Sequence, residues 1–257
     1  MLTRTRKPLA TALVVALVSG GLFAQDFFRG RRQRWSGVND NVEYDAQLTF
    51  ARVRFDSGIR GYGRRGSNGE PPWAHDYPTA DIHLMKILGE LTSAAPRIDG
   101  SNVVTFDDPE LFNYPIAYVS EPGMWDAKPA EIEGLRTYML KGGFVIFDDF
   151  QGQDWDNLEA QMRRAMPEAR WIVLEPTHPI FNSFFEIKNF SFGQYGQETY
   201  YGIYEDNDPA KRLIAVAGHN QDLGEFWEFS DTGWLPIDLS NEAYKFGVNY
   251  FIYGLTH

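Results

Sequence analysis

The strongest chemical signal in the sequence is a pair of adjacent carboxylates, Asp148 and Asp149, directly after the apolar residues 144–147. A short apolar stretch between helices predicts a buried strand of a parallel sheet, and such sheets bind ligands beyond the carboxyl ends of their strands. Two carboxylates there could hold a divalent cation or divide the roles of acid and base. Since successive strand side chains point to opposite faces, the alternative is that one carboxylate caps the next helix while the other is solvated.

Three further loops follow predicted strands, namely those that end at residues 119, 174 and 217. The loop after residues 171–174 carries His178, which could act as a base or metal ligand, or equally serve as a structural histidine in a turn. The catalytic candidates are therefore Asp148, Asp149 and His178. The loop after residues 213–217 could form a sugar or metal site. The candidate ligand-binding residues in and near these loops are Glu121, Trp125, His219, Asn220, Asp222 and Trp227.

A second group of ionisable residues flanks the start of a predicted helix, and consists of His75, Asp76, Asp81 and His83. Asp76 and Asp81 are interpreted here as capping residues or partners of the helix dipole rather than as ligands. The sequence contains no G-x-S-x-G, P-loop or H-E-x-x-H motif. It also contains no cysteine, which excludes disulfides, thiolate metal sites and a cysteine nucleophile.

Helices and strands alternate along the chain. The pattern predicts one α/β domain over residues 46–257, a three-layer sandwich with a mainly parallel sheet to which an N-terminal strand is added. The predicted strands are residues 48–55, 103–106, 116–119, 144–147, 171–174 and 213–217. The predicted helices are residues 77–92, 129–140, 156–166 and 242–253, and residues 186–211 are expected to be rich in loops.

Eight aromatic residues lie between residues 184 and 204. Exposed aromatic side chains could stack on a sugar or on a partner protein. The alternative, which we favour, is that they pack a second small core beneath this long segment.

The first 24 residues resemble a secretory signal: Arg4, Arg6 and Lys7 precede an apolar stretch, with cleavage expected near Ala24. An uncleaved N-terminal anchor is the alternative. Residues 25–45 form a basic polar linker, and no later segment is apolar for long enough to span a membrane. We therefore expect a periplasmic or secreted bacterial protein without a transmembrane helix in its mature chain.

The charge of the chain is strongly negative, with 24 Lys+Arg against 35 Asp+Glu and a net charge of -11. The predicted signal carries three basic residues and no acidic one, so its removal would leave a net charge of -14. Because such a protein repels phosphate backbones, the composition argues against nucleic acid as a partner.

Several segments together resemble the bacterial domain of unknown function 4159 family: residues 50–55, 73–81, 135–149, 178–181 and 220–228. The resemblance covers residues 46–255 and implies a flavodoxin-like fold similar to class I glutamine amidotransferases and ThuA-like proteins. In amidotransferases, a cysteine nucleophile stands where this chain has Asp148 and Asp149. Thiol-dependent glutamine hydrolysis is therefore excluded, and the analogy with ThuA-like proteins implies a role connected with carbohydrates.

Two hypotheses follow. The first is a non-catalytic module that binds a small molecule, a carbohydrate or an envelope protein, or assists envelope assembly. The alternative is a carbohydrate-active hydrolase or isomerase that uses Asp and His residues, or a divalent cation, at the strand ends. A pocket shared by Asp148, Asp149, His178 and Asp222 would favour the enzyme, whereas the enzyme hypothesis fails if these four residues share no pocket.

Overall fold

The computed structural model describes residues 37–58 and 69–257. The predicted signal of residues 1–24 and the linker residues 25–36 lie outside the described residues, as do residues 59–68 of the loop after the first strand.

A seven-stranded sheet forms the centre of an α/β sandwich. Its order is β2-β1-β3-β4-β7-β6-β5. The pairings among β2, β1, β3, β4 and β7 are parallel, whereas β6 is antiparallel to both β7 and β5. The strands are β1 (Ala51–Val53), β2 (Asn102–Val104), β3 (Ile116–Ser120), β4 (Phe144–Phe150), β5 (Ile172–Val173), β6 (Thr199–Tyr204) and β7 (Leu213–His219).

In the part of the chain that the structure describes, five α-helices cover the sheet: α1 (Thr79–Leu91), α2 (Pro129–Leu140), α3 (Asp154–Ala165), α4 (Leu223–Glu228) and α5 (Ile237–Thr256). Helices α1, α4 and α5 pack against one another, and α2 packs against α3. Every residue of β3 and β4 is buried, which explains why these strands read as continuous apolar runs. None of the helices in the described ranges is both long enough and apolar enough to cross a membrane.

Two predictions about the far side of the sheet were wrong. Residues 171–174 were expected to form a buried core strand, but β5 is a two-residue edge strand in which Val173 is 51% exposed. Residues 186–211 are rich in loops as expected, but they also contain β6, which was not predicted. The favoured expectation that the eight aromatics pack a second small core was wrong: Phe192, Tyr200 and Tyr204 are buried in the main hydrophobic core, with Phe192 and Tyr200 against Phe246 of α5. Phe184 and Tyr195 remain exposed.

The N-terminal strand lies inside the sheet and carries a buried arginine. In β1, Arg52 forms an ion pair with Asp81 of α1 and lies 5.0 Å from the ring centre of Tyr118. Its guanidinium also donates hydrogen bonds to the carbonyl oxygens of Trp73 (3.1 Å) and His75 (2.9 Å). A buried charge needs such partners, and the network holds the segment before α1 against the sheet.

The outer edge of β2 is covered by residues before β1. The Asn41 side chain donates to the Val103 carbonyl oxygen and accepts from the Val103 N–H. The Asn102 side chain forms the same pair of hydrogen bonds with the backbone of Val42. Side-chain amides thus satisfy backbone groups that an edge strand would otherwise expose.

Candidate metal and ligand site

The aspartate pair lies at the carboxyl end of β4, where the strand becomes irregular. The register between β4 and β7 shifts between Phe147 and Phe150, and Asp149 has a left-handed backbone with φ of 58°. Non-glycine residues adopt this conformation at a cost of roughly 1–3 kcal/mol. The local change of direction gives the two neighbouring carboxylates different surroundings.

Asp148 is directed into the protein. Its Oδ2 accepts hydrogen bonds from the Tyr118 hydroxyl (2.7 Å) and the backbone N–H groups of Leu223 (3.0 Å) and Gly224 (3.2 Å). Burial raises the pKa of Asp148 to about 7, although these hydrogen bonds favour the carboxylate. The residue therefore joins β3, β4 and the start of α4.

Asp149 belongs to a cluster formed by the carboxyl end of β4 and by the loops that follow β1 and β7. Its Oδ2 lies 2.8 Å from His75 Nδ1 and accepts a 3.3 Å hydrogen bond from the Ser120 hydroxyl. The same imidazole nitrogen lies 3.6 Å from Asp76 Oδ2. His75, Asp76, Asp149 and Asp222 each place one potential ligand atom within 4.8 Å of the others.

Two aspartates of this cluster are buried without full hydrogen bonding. Asp76 is 3% exposed and neither of its oxygens accepts a hydrogen bond. Asp222 is 0% exposed; its Oδ1 accepts from the Glu225 N–H at 2.9 Å, but its Oδ2 has no partner. Burial raises the pKa of both carboxyls well above the usual range, and neighbouring carboxylates, including Asp149, raise them further.

The dimensions of the cluster suit one metal ion. Ligand atoms at about 2.1–2.4 Å from an ion lie at most about 4.2–4.8 Å apart when they face each other across it. An imidazole nitrogen with carboxylate oxygens is a donor set for a divalent cation such as Mn²⁺ or Zn²⁺. The buried oxygens of Asp76 and Asp222 would gain a counter-charge from such an ion. The negative neighbours raise the pKa of His75, Asp76 being the largest influence.

A small open cleft adjoins Asp149; its volume is about 30 Å³, which is room for one or two water molecules. Burial raises the pKa of Tyr195 at its rim, with further contributions from Asp222 and Asp149, so the phenol stays neutral. Gly123 allows close approach of the two walls, since a Cβ there would lie 2.3 Å from Asp154 Cβ. The cleft is lined by Glu121, Gly123, Met124, Asp149, Phe150, Gln151, Asp154 and Tyr195.

The structure does not bring His178 to this cluster. Its Nδ1 accepts a hydrogen bond from the Ile180 N–H, and its ring lies 5.9 Å from the ring centres of both Tyr204 and Tyr253. Tyr204 pairs with Leu213, the first residue of β7. His178 therefore lies near the amino end of β7, whereas Asp149 lies at the carboxyl end of the neighbouring strand β4.

The other predicted ligand-binding residues are divided between the loops and the core. His219 Nε2 lies 3.0 Å from the Gly152 carbonyl oxygen, and Asn220 accepts from the Gly152 N–H. These contacts join the loops after β7 and β4. Trp125 and Trp227 are both 1% exposed and lie in the interior. Glu121 and Asp222 are the members of this set that reach the cleft or the cluster.

Sequence reasoning missed His75 and Asp76 as members of the cluster. The interpretation of Asp76 and Asp81 as capping residues was wrong, because no side chain caps α1 at Pro78. Asp81 does lie in the first turn of the helix, as a partner of the helix dipole would, and it binds Arg52 and Ser101. The signal was present, because the loop after β1 also starts at the carboxyl edge of the sheet.

Together, the fold and the cluster define an α/β protein with a histidine–carboxylate site at the carboxyl edge of a mostly parallel sheet. The chain belongs to the family described as a domain of unknown function, DUF4159, whose profile matches residues 49–255. The resemblance found in the sequence motifs is thereby confirmed. No curated protein matches the chain.

Proposed function

We propose that this protein binds a divalent cation through His75, Asp76, Asp149 and Asp222 and uses it to act on a neutral, polyhydroxylated ligand that lies across the open mouth of the adjacent cleft and places one hydroxyl group inside it. The observation that carries the proposal is a pair of buried aspartates beside two other potential ligands: both oxygens of Asp76 and the Oδ2 of Asp222 lack hydrogen-bond partners. Buried charges require a compensating charge or neutralisation. A cation would supply that charge for the whole cluster.

The lining of the cleft supports a neutral ligand rather than an anion. Its polar side chains are acidic, neutral amide or phenolic, as in Glu121, Asp154, Gln151 and Tyr195. Together with the net charge of -11, this lining disfavours phosphorylated or carboxylated substrates unless the metal offsets it. A sugar could offer hydroxyl groups both to the cation and to these side chains.

The enzyme that the sequence suggested is not supported, because Asp148 and His178 do not share a pocket with Asp149 and Asp222. The hydrolase or isomerase proposed here uses a different set, in which His75 and Asp76 join Asp149 and Asp222, and this grouping favours it over a non-catalytic envelope module. The same grouping can hold acid–base groups and a cation at one place. The strand order β2-β1-β3-β4-β7 is that of doubly wound flavodoxin-type sheets, which supports a three-layer, ThuA-like arrangement. We further propose that the protein acts in the periplasm or outside the cell, on the basis of its first 24 residues.

Calorimetric titration of the full chain with Mn²⁺, Zn²⁺, Mg²⁺ and Ca²⁺ tests the cation site. We expect saturable binding of at least one ion and a higher thermal midpoint, because a ligand at 100 times its Kd stabilises a fold by about 2.7 kcal/mol. Asp149→Asn and Asp222→Asn should weaken binding at least tenfold. The matched control is Asp99→Asn, since the Asp99 side chain is 78% exposed and lies outside the cluster.

If no divalent ion binds, or if Asp149→Asn binds like the control, the cation site is rejected. Incubation of the metal-loaded protein with neutral mono- and oligosaccharides then separates the two hypotheses. Metal-dependent turnover that is lost in Asp149→Asn supports the enzyme. Saturable sugar binding without turnover supports the non-catalytic module.

A further inference from the structure

We propose that the site holds two cations rather than one, with Asp76 shared between them. This inference rests on the proposed cation site. The second ion would be held by Asp76, Glu225 and Glu228, which place potential ligand atoms within 4.8 Å of one another. The first set is the one already described, and Asp76 is the only residue that belongs to both.

Helix α4 supplies the two additional ligands. Glu225 and Glu228 are three residues apart, so both carboxylates project from one face of the helix. Both residues are partly buried, and burial raises the pKa of Glu228. The N-terminal end of α4 is joined to β4 through Asp148, which keeps this face of the helix at the end of the sheet.

The second observation is the condition of Asp76 itself. At 3% exposure, it is withdrawn from water, and no N–H or hydroxyl group donates a hydrogen bond to either oxygen, while the Glu228 carboxyl lies within hydrogen-bond reach of it. A carboxylate has two oxygens that can accept or coordinate independently. Two oxygens with no donor, on a residue shared by two potential ligand sets, fit a bridging carboxylate.

The negative charge of the combined site also favours two cations over one. The two sets contain five carboxylates and one imidazole. The guanidinium nitrogens of Arg52 are bound to Asp81 and to backbone carbonyl groups. With all five carboxylates ionised, one divalent cation would offset two of their negative charges, and two cations would offset four.

Gly224 provides the space that the shared ligand needs. A Cβ at this position would lie 2.6 Å from Asp76 Oδ2 and 3.2 Å from the Tyr118 hydroxyl oxygen. Glycine therefore allows α4 to approach Asp76 closely enough for Glu225 and Glu228 to join it. A pair of bridged cations is typical of centres that catalyse metal-assisted hydrolysis, so this arrangement favours the hydrolase over the isomerase.

Electron paramagnetic resonance and metal analysis of the Mn²⁺-loaded full chain test this arrangement. We expect two Mn²⁺ ions per chain and a broad, exchange-coupled spectrum. The double variant Glu225→Gln/Glu228→Gln should bind one Mn²⁺ and give the six-line spectrum of an isolated ion. Glu90→Gln on the exposed face of α1 is the matched control and should retain two ions. Circular dichroism checks that each variant is folded.

Each alternative outcome has a separate meaning. One Mn²⁺ per wild-type chain with a six-line spectrum, unchanged in the double variant, overturns the two-cation arrangement and leaves the proposed function standing. No Mn²⁺ binding by the wild type, combined with no binding of the other ions, overturns both.

Discussion

Asp148 and Asp149 are adjacent in the sequence, yet their side chains have different surroundings. Asp148 accepts hydrogen bonds from Tyr118 and from the backbone of α4, whereas Asp149 contacts His75. The left-handed backbone at Asp149 accompanies this difference. Sequence reasoning identified the pair and the strand end, but alternation along a strand could not indicate which carboxylate would reach the cluster.

We predict that Asp148 contributes to stability rather than to cation binding. Asp148→Ala leaves three buried donors without their acceptor and should lower the free energy of unfolding by about 3 kcal/mol or more. Asp148→Asn retains an acceptor oxygen and should lose less. Urea denaturation measures both. Equal stability of wild type and Asp148→Ala would contradict the anchoring role.

His178 should make stability depend on pH. Burial lowers its pKa, with a further contribution from His257, so the folded state binds the proton less tightly than the unfolded state does. Stability should therefore be highest above the ordinary histidine pKa of about 6.5 and fall as the pH drops below it. His178→Asn keeps an acceptor for the Ile180 N–H but cannot be protonated.

Free energies of unfolding at pH 7.5 and 5.5 measure this effect. We expect the loss on acidification to be smaller in His178→Asn than in wild type. The same loss in both proteins would show that His178 does not contribute to the pH dependence.

At the level of elements, α4 has the greatest effect on the site although it has only six residues. Isolated helices of this length are unstable, and α4 is held by the Asp222 and Asp148 carboxylates and by packing against α1 and α5. Sequence reasoning did not predict it, because six residues contain too few turns to show helical periodicity. The two glutamates that it carries were missed for the same reason.

We predict that Gly224→Ala disturbs both α4 and the cluster. The added methyl group would lie 2.6 Å from Asp76 Oδ2, so α4 or Asp76 must move. The thermal midpoint should fall and Mn²⁺ affinity should drop at least tenfold. Gly100→Ala is the control, since a Cβ there meets no atom within 4 Å. Unchanged Mn²⁺ affinity in Gly224→Ala would contradict the close approach.

Across the whole molecule, the sequence predicted the central architecture well and its edge poorly. Strands β3 and β4 are buried on both faces, so apolar runs between helices identified them correctly. The run at residues 171–174 has the same composition, but β5 lies at the edge of the sheet. A short apolar run does not reveal how many of its faces are covered.

The site was predicted only in part: the sequence selected Asp149 and Asp222 but not His75. Asp149 and Asp222 follow strands directly, and the rule that ligands bind at the carboxyl edge was sufficient to select them. His75 follows β1 only after a long loop and immediately precedes a helix, which favoured a capping interpretation. Its proximity to Asp149 depends on the neighbouring positions of β1, β3 and β4 in the sheet, which local patterns do not encode.

The covering of β2 by Asn41 and Val42 has a practical consequence for anyone who expresses this domain. The family match begins at residue 49, so a fragment cut at that boundary would lack both residues. Its β2 edge would be open to pairing with another molecule, which promotes aggregation. A fragment that begins at or before residue 37 retains this protection.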